Sequence, residues 1–199
     1  MDVTLAGLAL VVLSPVFLVV AVVIVVTDGR PVFYVATRVG QHGRDFHLYK
    51  FRTMVTNPDA VVAPGSSVTV YNDPRITPIG RMLRKTKLDE LPQFFNVVRG
   101  DMSLVGPRPE DPEYVRLYTS EQRRVLDLKP GITSVAALDY VDEGELLKGD
   151  DWEAVYREQI VPAKLALEIE YAARRTLLSD IGLLLRTAWT LARRIAGGA

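Results

Sequence analysis

Two adjacent carboxylates, Asp89 and Glu90, sit inside "KTKLDELPQFFNVVRGDMSLVGPRPE" (85–110), a stretch crowded with cations. Arg81, Arg84, Lys85 and Lys87 precede the pair, Arg99 and Arg108 follow it, and "YKFRTM" upstream adds Lys50 and Arg52. Such a pair has two readings. On one helix Lys85 and Asp89 are i,i+4 neighbours, and a surface ion pair there contributes only about 0.3–0.5 kcal/mol. The second reading is a site for a di- or pyrophosphate. Arginine offers forked donors to phosphate oxygens, and backbone amides near glycines add more. A carboxylate in that setting can hold Mg2+ against the phosphates, or attack phosphorus itself. Aspartate, with a reference pKa of ~3.9, is already ionised at neutral pH and needs no general base. The cations and a metal would offset its repulsion from the phosphate.

Those residues need a scaffold, and the composition limits what it is. A chain of 199 residues suits one domain with a modest core and room for an appendage. Basic and acidic side chains number 24 each, so the net charge is zero and nucleic acid is not expected as a partner. The absence of cysteine excludes disulfides and thiolate chemistry and fits a reducing compartment. With only His42 and His47, a histidine metal cage or triad is not expected.

The local patterns place the motifs on a mixed α+β framework. "PVFYVATRVG" and "DFHLYKFRTM" read as two strands joined by a Gly40–Gly43 turn. Residues 57–74 read as a loop. A helix is expected from Pro78 or Ile79 through "IGRMLRKTKLDEL", with Pro92 restarting it before "QFFNVV". "GDMSLVGPRPEDP" reads as a turn-rich loop. Helices are expected from Glu113 to Leu126 and from Trp152 to about Thr176, with a mixed, partly strand segment between. The last helix, with Ser179 and Asp180 as its cap, is amphipathic. Its apolar face suits either an anionic membrane surface or the protein core.

Residues 3–26 carry no charge and are long enough to cross a hydrocarbon layer of ~30 Å. Ser14-Pro15 interrupts the run, and proline there predicts a kink. A bent helix that enters and leaves by one face, with Ser14 satisfying freed carbonyls, and a kinked spanning helix both fit. Basic residues follow the run and none precedes it, which places the downstream side in the cytoplasm. No basic n-region or cleavage site marks a signal peptide.

"YKFRTM", "DPRITPIGRMLRKTKLDELPQFFNVVRGDMSLVGPRPE" and "KPGIT" together resemble the bacterial sugar transferase family. These are monotopic phosphoglycosyl transferases that start glycoconjugate assembly on a polyprenol carrier. The resemblance covers nearly the whole chain, and the length matches the small members that hold only the catalytic core. It implies a UDP-sugar donor bound with Mg2+ at the cytoplasmic face of the bacterial inner membrane. Asp89 would attack the β-phosphate, release UMP and carry the phosphosugar covalently. A polyprenyl phosphate, usually undecaprenyl phosphate, would then accept it. Glu90, the dyad partner, would position the metal or orient Asp89. Arg84 and Arg108 resemble the phosphate-binding arginines. Lys50, Arg52 and Lys87 are further candidates, with solvation or ion pairing as the alternative for each. The Ser14-Pro15 step resembles the hinge of a re-entrant membrane helix. Residues 1–28 are thus expected to form that hairpin, and 29–199 a catalytic domain with an amphipathic surface helix. A homodimer is left open.

Two departures stand out. The opening "MDVTLAG" lacks the Lys-Arg pair and Phe-Asp step of many members, with Asp2 as a remnant and a shortened start implied. "KPGITSVAALDY" replaces the common "KPGITGLAQV", so the sugar does not carry over. Two other functions compete. One is a non-catalytic, membrane-tethered module binding anionic lipid or a partner, which gains nothing from adjacent carboxylates. The other is a multi-span transferase, which a single apolar segment disfavours.

Overall fold

The computed structural model of the chain describes residues 2–57, 68–148 and 151–196. Its first two helices are α1 (Asp2–Val12) and α2 (Ser14–Asp28), bent by 59° at the Ser14-Pro15 step. The Ser14 hydroxyl donates to the Val11 carbonyl at 2.8 Å, one of the groups the proline turn frees. Neither helix alone is long and apolar enough to cross a membrane.

Both ends of this bent pair are tied to the globular body. At the start, the Ser103 hydroxyl donates to the Asp2 carboxylate. At the other end, the Arg52 guanidinium donates to the carbonyls of Asp28 and Gly29 at 2.9 and 2.6 Å. These carbonyls close a helix whose last turn carries no cation of its own. Ala6 of α1 packs with Leu48, Val97, Met102 and Leu104, while Val20 and Ile24 of α2 pack with Phe51 and Leu83.

Strands β1 (Phe33–Val39) and β2 (Asp45–Phe51) form an antiparallel hairpin, with Phe33 opposite Phe51 and Val39 opposite Asp45. Helix α3 (Pro78–Lys85) follows, capped by Thr77, whose hydroxyl accepts from the Gly80 amide at 3.0 Å. The expected continuation to Leu91 does not form. Lys87 adopts a left-handed backbone (φ 56°), and a 3₁₀ turn spans Leu88–Glu90. Lys87 thus occupies the helix-ending position that glycine usually takes, which is why no breaker marks it in the sequence. Consequently Lys85 and Asp89 are not neighbours on one helix face.

Helix α4 (Gln93–Arg99) restarts as expected after Pro92. Buried Asn96 binds it to β2: its amide donates to the His47 carbonyl (2.7 Å) and its oxygen accepts from the Tyr49 amide (3.1 Å). The loop expected over 100–112 contains β3 (Ser103–Val105), parallel to β4 (Gly131–Thr133). Gly106 and Gly131 make this pairing sterically feasible, since a Cβ on Gly131 would lie 2.1 Å from the Gly106 nitrogen. The expected helix from Glu113 to Leu126 is broken into α5 (Pro112–Val115) and a 3₁₀ turn over Gln122–Asp127. Thr119 starts the second piece, its hydroxyl accepting from the Gln122 amide while the Gln122 side chain accepts from the Thr119 amide.

Short helices α6 (Val135–Asp139) and α7 (Glu143–Leu146) lead to α8 (Trp152–Val155) and α9 (Val161–Arg174). A π-turn over Tyr156–Ile160 joins the last two. Pro162 explains it: an α-helix would require its missing N–H to reach Glu158.

Helix α10 (Leu177–Ala196) is capped by Thr176 rather than by Ser179 or Asp180. The Thr176 hydroxyl accepts from the Ser179 amide, and the Ser179 hydroxyl accepts from the Thr176 amide. Both faces of α10 are apolar. Leu183 and Leu184 pack inward, and Thr187 bonds Thr133, while Leu178, Ile181, Leu185 and Trp189 point outward and are exposed. Of the loop expected over 57–74, residues 58–67 lie outside the described residues.

Candidate active site

Four chain segments bring the candidate residues together. The left-handed Lys87 turns the chain so that Asp89 and Glu90 face inward, 5% and 8% exposed. Holding a lysine there costs energy, and such strain persists only where surrounding contacts enforce it.

Glu90 lies between two cations. Lys50 Nζ, from β2, donates to Glu90 Oε1 at 3.0 Å. Arg108, from the turn after β3, donates through Nη2 to Oε1 at 2.7 Å and through Nη1 to Oε2 at 3.4 Å. Burial penalises the Glu90 carboxylate, but Arg108 and then Lys50 more than reverse this and hold it well below its ordinary value. Burial lowers Lys50, with Glu90 opposing. Arg108 is raised, chiefly by Glu90.

Asp89 differs from its neighbour. Its Oδ1 is buried with no hydrogen-bond partner. Burial and then repulsion from Glu90 push this carboxyl up, with Lys50, Arg84 and Lys87 opposing. Two adjacent carboxylates are thus driven in opposite directions, one locked by cations and one left available.

Arg84 reaches the site from α3, clamped by two hydroxyls. Its Nε donates to Thr53 Oγ1 and its Nη1 to Thr69 Oγ1, both at 2.8 Å. Asp73 is buried nearby, paired with Arg75 at 2.6 Å, and attracts Arg84. Thr53 and Asp73 fall inside the motifs "YKFRTM" and "DPRIT", yet their residue types gave no hint of these positioning contacts.

Arg52 does not join the group. Its Nη2 donates to the carbonyls at the end of α2, while its Nε is buried without a hydrogen-bond partner. Lys87 acts electrostatically on both dyad carboxylates. Ser14 and Pro15 sit at the bend of α1 and α2, away from the polar cluster but beside an apolar cavity of about 320 Å3. Val16, Val20, Met82, Leu83 and Leu88 also line that cavity, and Leu88 immediately precedes Asp89.

Whether the residues suit Mg2+ turns on Asp89. Among the described residues no cluster of three acidic or histidine side chains occurs. Phosphate-bound Mg2+ characteristically takes only one or two carboxylates, with phosphates and water completing its shell. The unpartnered Asp89 oxygen fits that pattern, whereas Glu90 would have to exchange a cation for the metal.

Comparison with known proteins bears on this cluster. The family model described as bacterial sugar transferase matches residues 1–194. The exopolysaccharide production protein ExoY of Sinorhizobium fredii is 35% identical over 199 residues, covering 94% of this chain and 81% of that protein. The undecaprenyl-phosphate galactose phosphotransferase of Salmonella typhimurium is 38% identical, covering 85% of this chain and 35% of the relative. The undecaprenyl-phosphate glucose phosphotransferase of Komagataeibacter xylinus is 35% identical, covering 94% and 34%. The last two are thus matched over about a third of their length.

Proposed function

The chain belongs to the bacterial sugar transferase family and is a phosphoglycosyl transferase, and we propose that it moves a sugar-1-phosphate from a UDP-sugar to polyprenyl phosphate through Asp89. The carrying observation is the unpartnered, buried Asp89 oxygen beside a carboxylate already neutralised by Lys50 and Arg108.

In the first step an Asp89 oxygen attacks the β-phosphorus of the donor. The bond from that phosphorus to the bridging oxygen breaks, and UMP leaves with its electron pair. The phosphosugar remains joined to the Asp89 carboxylate as an acyl phosphate, a mixed anhydride. In the second step a phosphate oxygen of the polyprenyl acceptor attacks the same phosphorus, releasing Asp89 and forming the polyprenyl diphospho-sugar. Arg84, rigidly held by Thr53 and Thr69, and Arg108 and Lys50, held by Glu90, present preorganised positive charge to the phosphoryl oxygens. Mg2+ held by Asp89 and the donor phosphates would supply further neutralisation of the transferring group. Burial and the neighbouring Glu90 raise the Asp89 pKa, which makes its carboxylate more basic and a better nucleophile when ionised.

The membrane arrangement follows from the same reading. Because Asp2 and the α2 terminus are both bonded to the globular body, the bent pair enters and leaves the bilayer on the cytoplasmic face. Exposed Leu8, Val11, Leu18, Val22 and Val26 then meet lipid, and the outer stripe of α10 lies along the surface. The apolar cavity ending at Leu88 offers a place for the acceptor's hydrocarbon next to the reacting carboxylate. A non-catalytic lipid-binding module would draw no benefit from two adjacent buried carboxylates.

The test is UMP release by detergent-purified protein given Mg2+, polyprenyl phosphate and a panel of UDP-sugars. At least one sugar should turn over, and Asp89→Asn should be inactive. No release with any sugar, or a fully active Asp89→Asn, would contradict the proposal.

A further inference from the structure

At the C-terminal end of α10, Arg194 contacts two elements distant in sequence. Its Nη1 and Nη2 donate to the two Asp142 oxygens at 2.9 and 2.7 Å, and its Nε donates to the Lys85 carbonyl at 3.3 Å. Lys85 ends α3, two residues before the left-handed turn that aims the dyad. Asp142 immediately precedes α7. Its neighbour Glu143 accepts from Lys164 of α9 at 2.7 Å and acts electrostatically on Arg108. Asp142 in turn faces Lys87. One guanidinium therefore joins the two rims of the cation cluster, from a helix whose outer face is apolar.

We propose that Arg194 is a positioning residue, a strap that holds the 140–148 segment against the end of α3 and so sets how the donor is seated between Lys87 and Arg108. The inference rests on the transferase reading for its effect on turnover, though not for the strap itself. A planar fork suits this role, because two nitrogens engage a carboxylate while the third reaches a carbonyl, a geometry that a lysine ammonium does not reproduce. The segment is anchored elsewhere by buried Leu147, whose carbonyl accepts from the Tyr71 amide, and by the Glu143–Lys164 pair, but among the described residues no hydrogen bond or ion pair joins it to α3 directly, and Arg194 bridges the two. Because α10 also carries the outward apolar stripe, seating that helix on lipid and ordering the donor rim become one event.

The experiment uses the full chain in detergent with two readouts. Hydrogen exchange of the 140–148 and 85–88 amides should be several-fold faster in Arg194→Ala and in Asp142→Asn than in wild type, with an unchanged Tm, because the pair is partly exposed. With the UDP-sugar that wild type uses, KM for the donor should rise about five- to tenfold with kcat changed less than about twofold. Arg194→Lys, which keeps the charge, should behave like Arg194→Ala. Unchanged exchange in both loss variants, unchanged donor KM, or full rescue by lysine would each overturn the proposal. If no UDP-sugar turns over in wild type, the transferase reading fails separately and the exchange result alone decides the strap.

Discussion

At the residue scale, the two carboxylates make opposite predictions for stability. The Asp89 pKa is raised in the folded state, so folding takes up a proton more readily than the unfolded chain does. Above the ordinary value of 3.8 the ionised group therefore costs stability. Asp89→Asn should abolish turnover and leave the Tm unchanged or higher at neutral pH, measured by thermal unfolding beside the activity assay. Glu90 is the reverse case. Its depressed pKa contributes stability that is present above 4.5 and lost as pH falls through the folded value. Glu90→Gln leaves Lys50 and Arg108 without their anion. Removing one partner of a fully buried pair costs roughly 3–5 kcal/mol, and with Arg108 a third exposed about 2–3 is expected in denaturant titrations at pH 7. The difference from wild type should shrink in acid. That the dyad, Arg84 and Arg108 lie close together was legible because residue type and motif context coincide. Their division of labour was not, since it depends on Lys50, about 40 positions away in the chain, meeting Glu90. The tie from Arg52 to the end of α2 was hidden for the matching reason: a cation's type does not reveal which way it points.

At the element scale, the alternation of β1 and β2, the Pro92 restart and the 152–174 helix were readable from period and breakers. The break at Lys87 was not, because a lysine fills a glycine's conformation, nor was the Thr119 restart, because a threonine cap interrupts an otherwise helical pattern. Helix α3 holds Arg84 through its contact with the end of β2. A Cβ on Gly80 would lie 2.1 Å from the Thr53 carbonyl oxygen, closer than any backbone tolerates. Gly80→Ala should thus push α3 away from Thr53, removing the hydroxyl that fixes Arg84. The expected outcome is destabilisation of about 1–3 kcal/mol in urea unfolding, with kcat reduced in the folded fraction. A fully active, equally stable variant would show that Arg84 needs no such anchoring.

At the scale of the whole molecule, the chain joins an apolar bent helix pair to a polar site through Asp2, Arg52 and the α1–α4 packing. The apolar run and its interruption were plain in the sequence. That both ends fasten to one body was not, because it depends on contacts formed only after folding. Single cysteines introduced near residues 2 and 30 of this cysteine-free chain should react with a membrane-impermeant thiol reagent from the same, cytoplasmic side in vesicles. Labelling from opposite sides would replace the re-entrant hairpin with a spanning helix.

The most direct measurement is mass spectrometry of the wild-type chain quenched with its nucleotide-sugar in the absence of acceptor. A phosphosugar adduct on the Asp89 peptide, lost when polyprenyl phosphate is added, is the predicted result. An adduct on another side chain, or none despite UMP release on the full reaction, would contradict covalent transfer through Asp89.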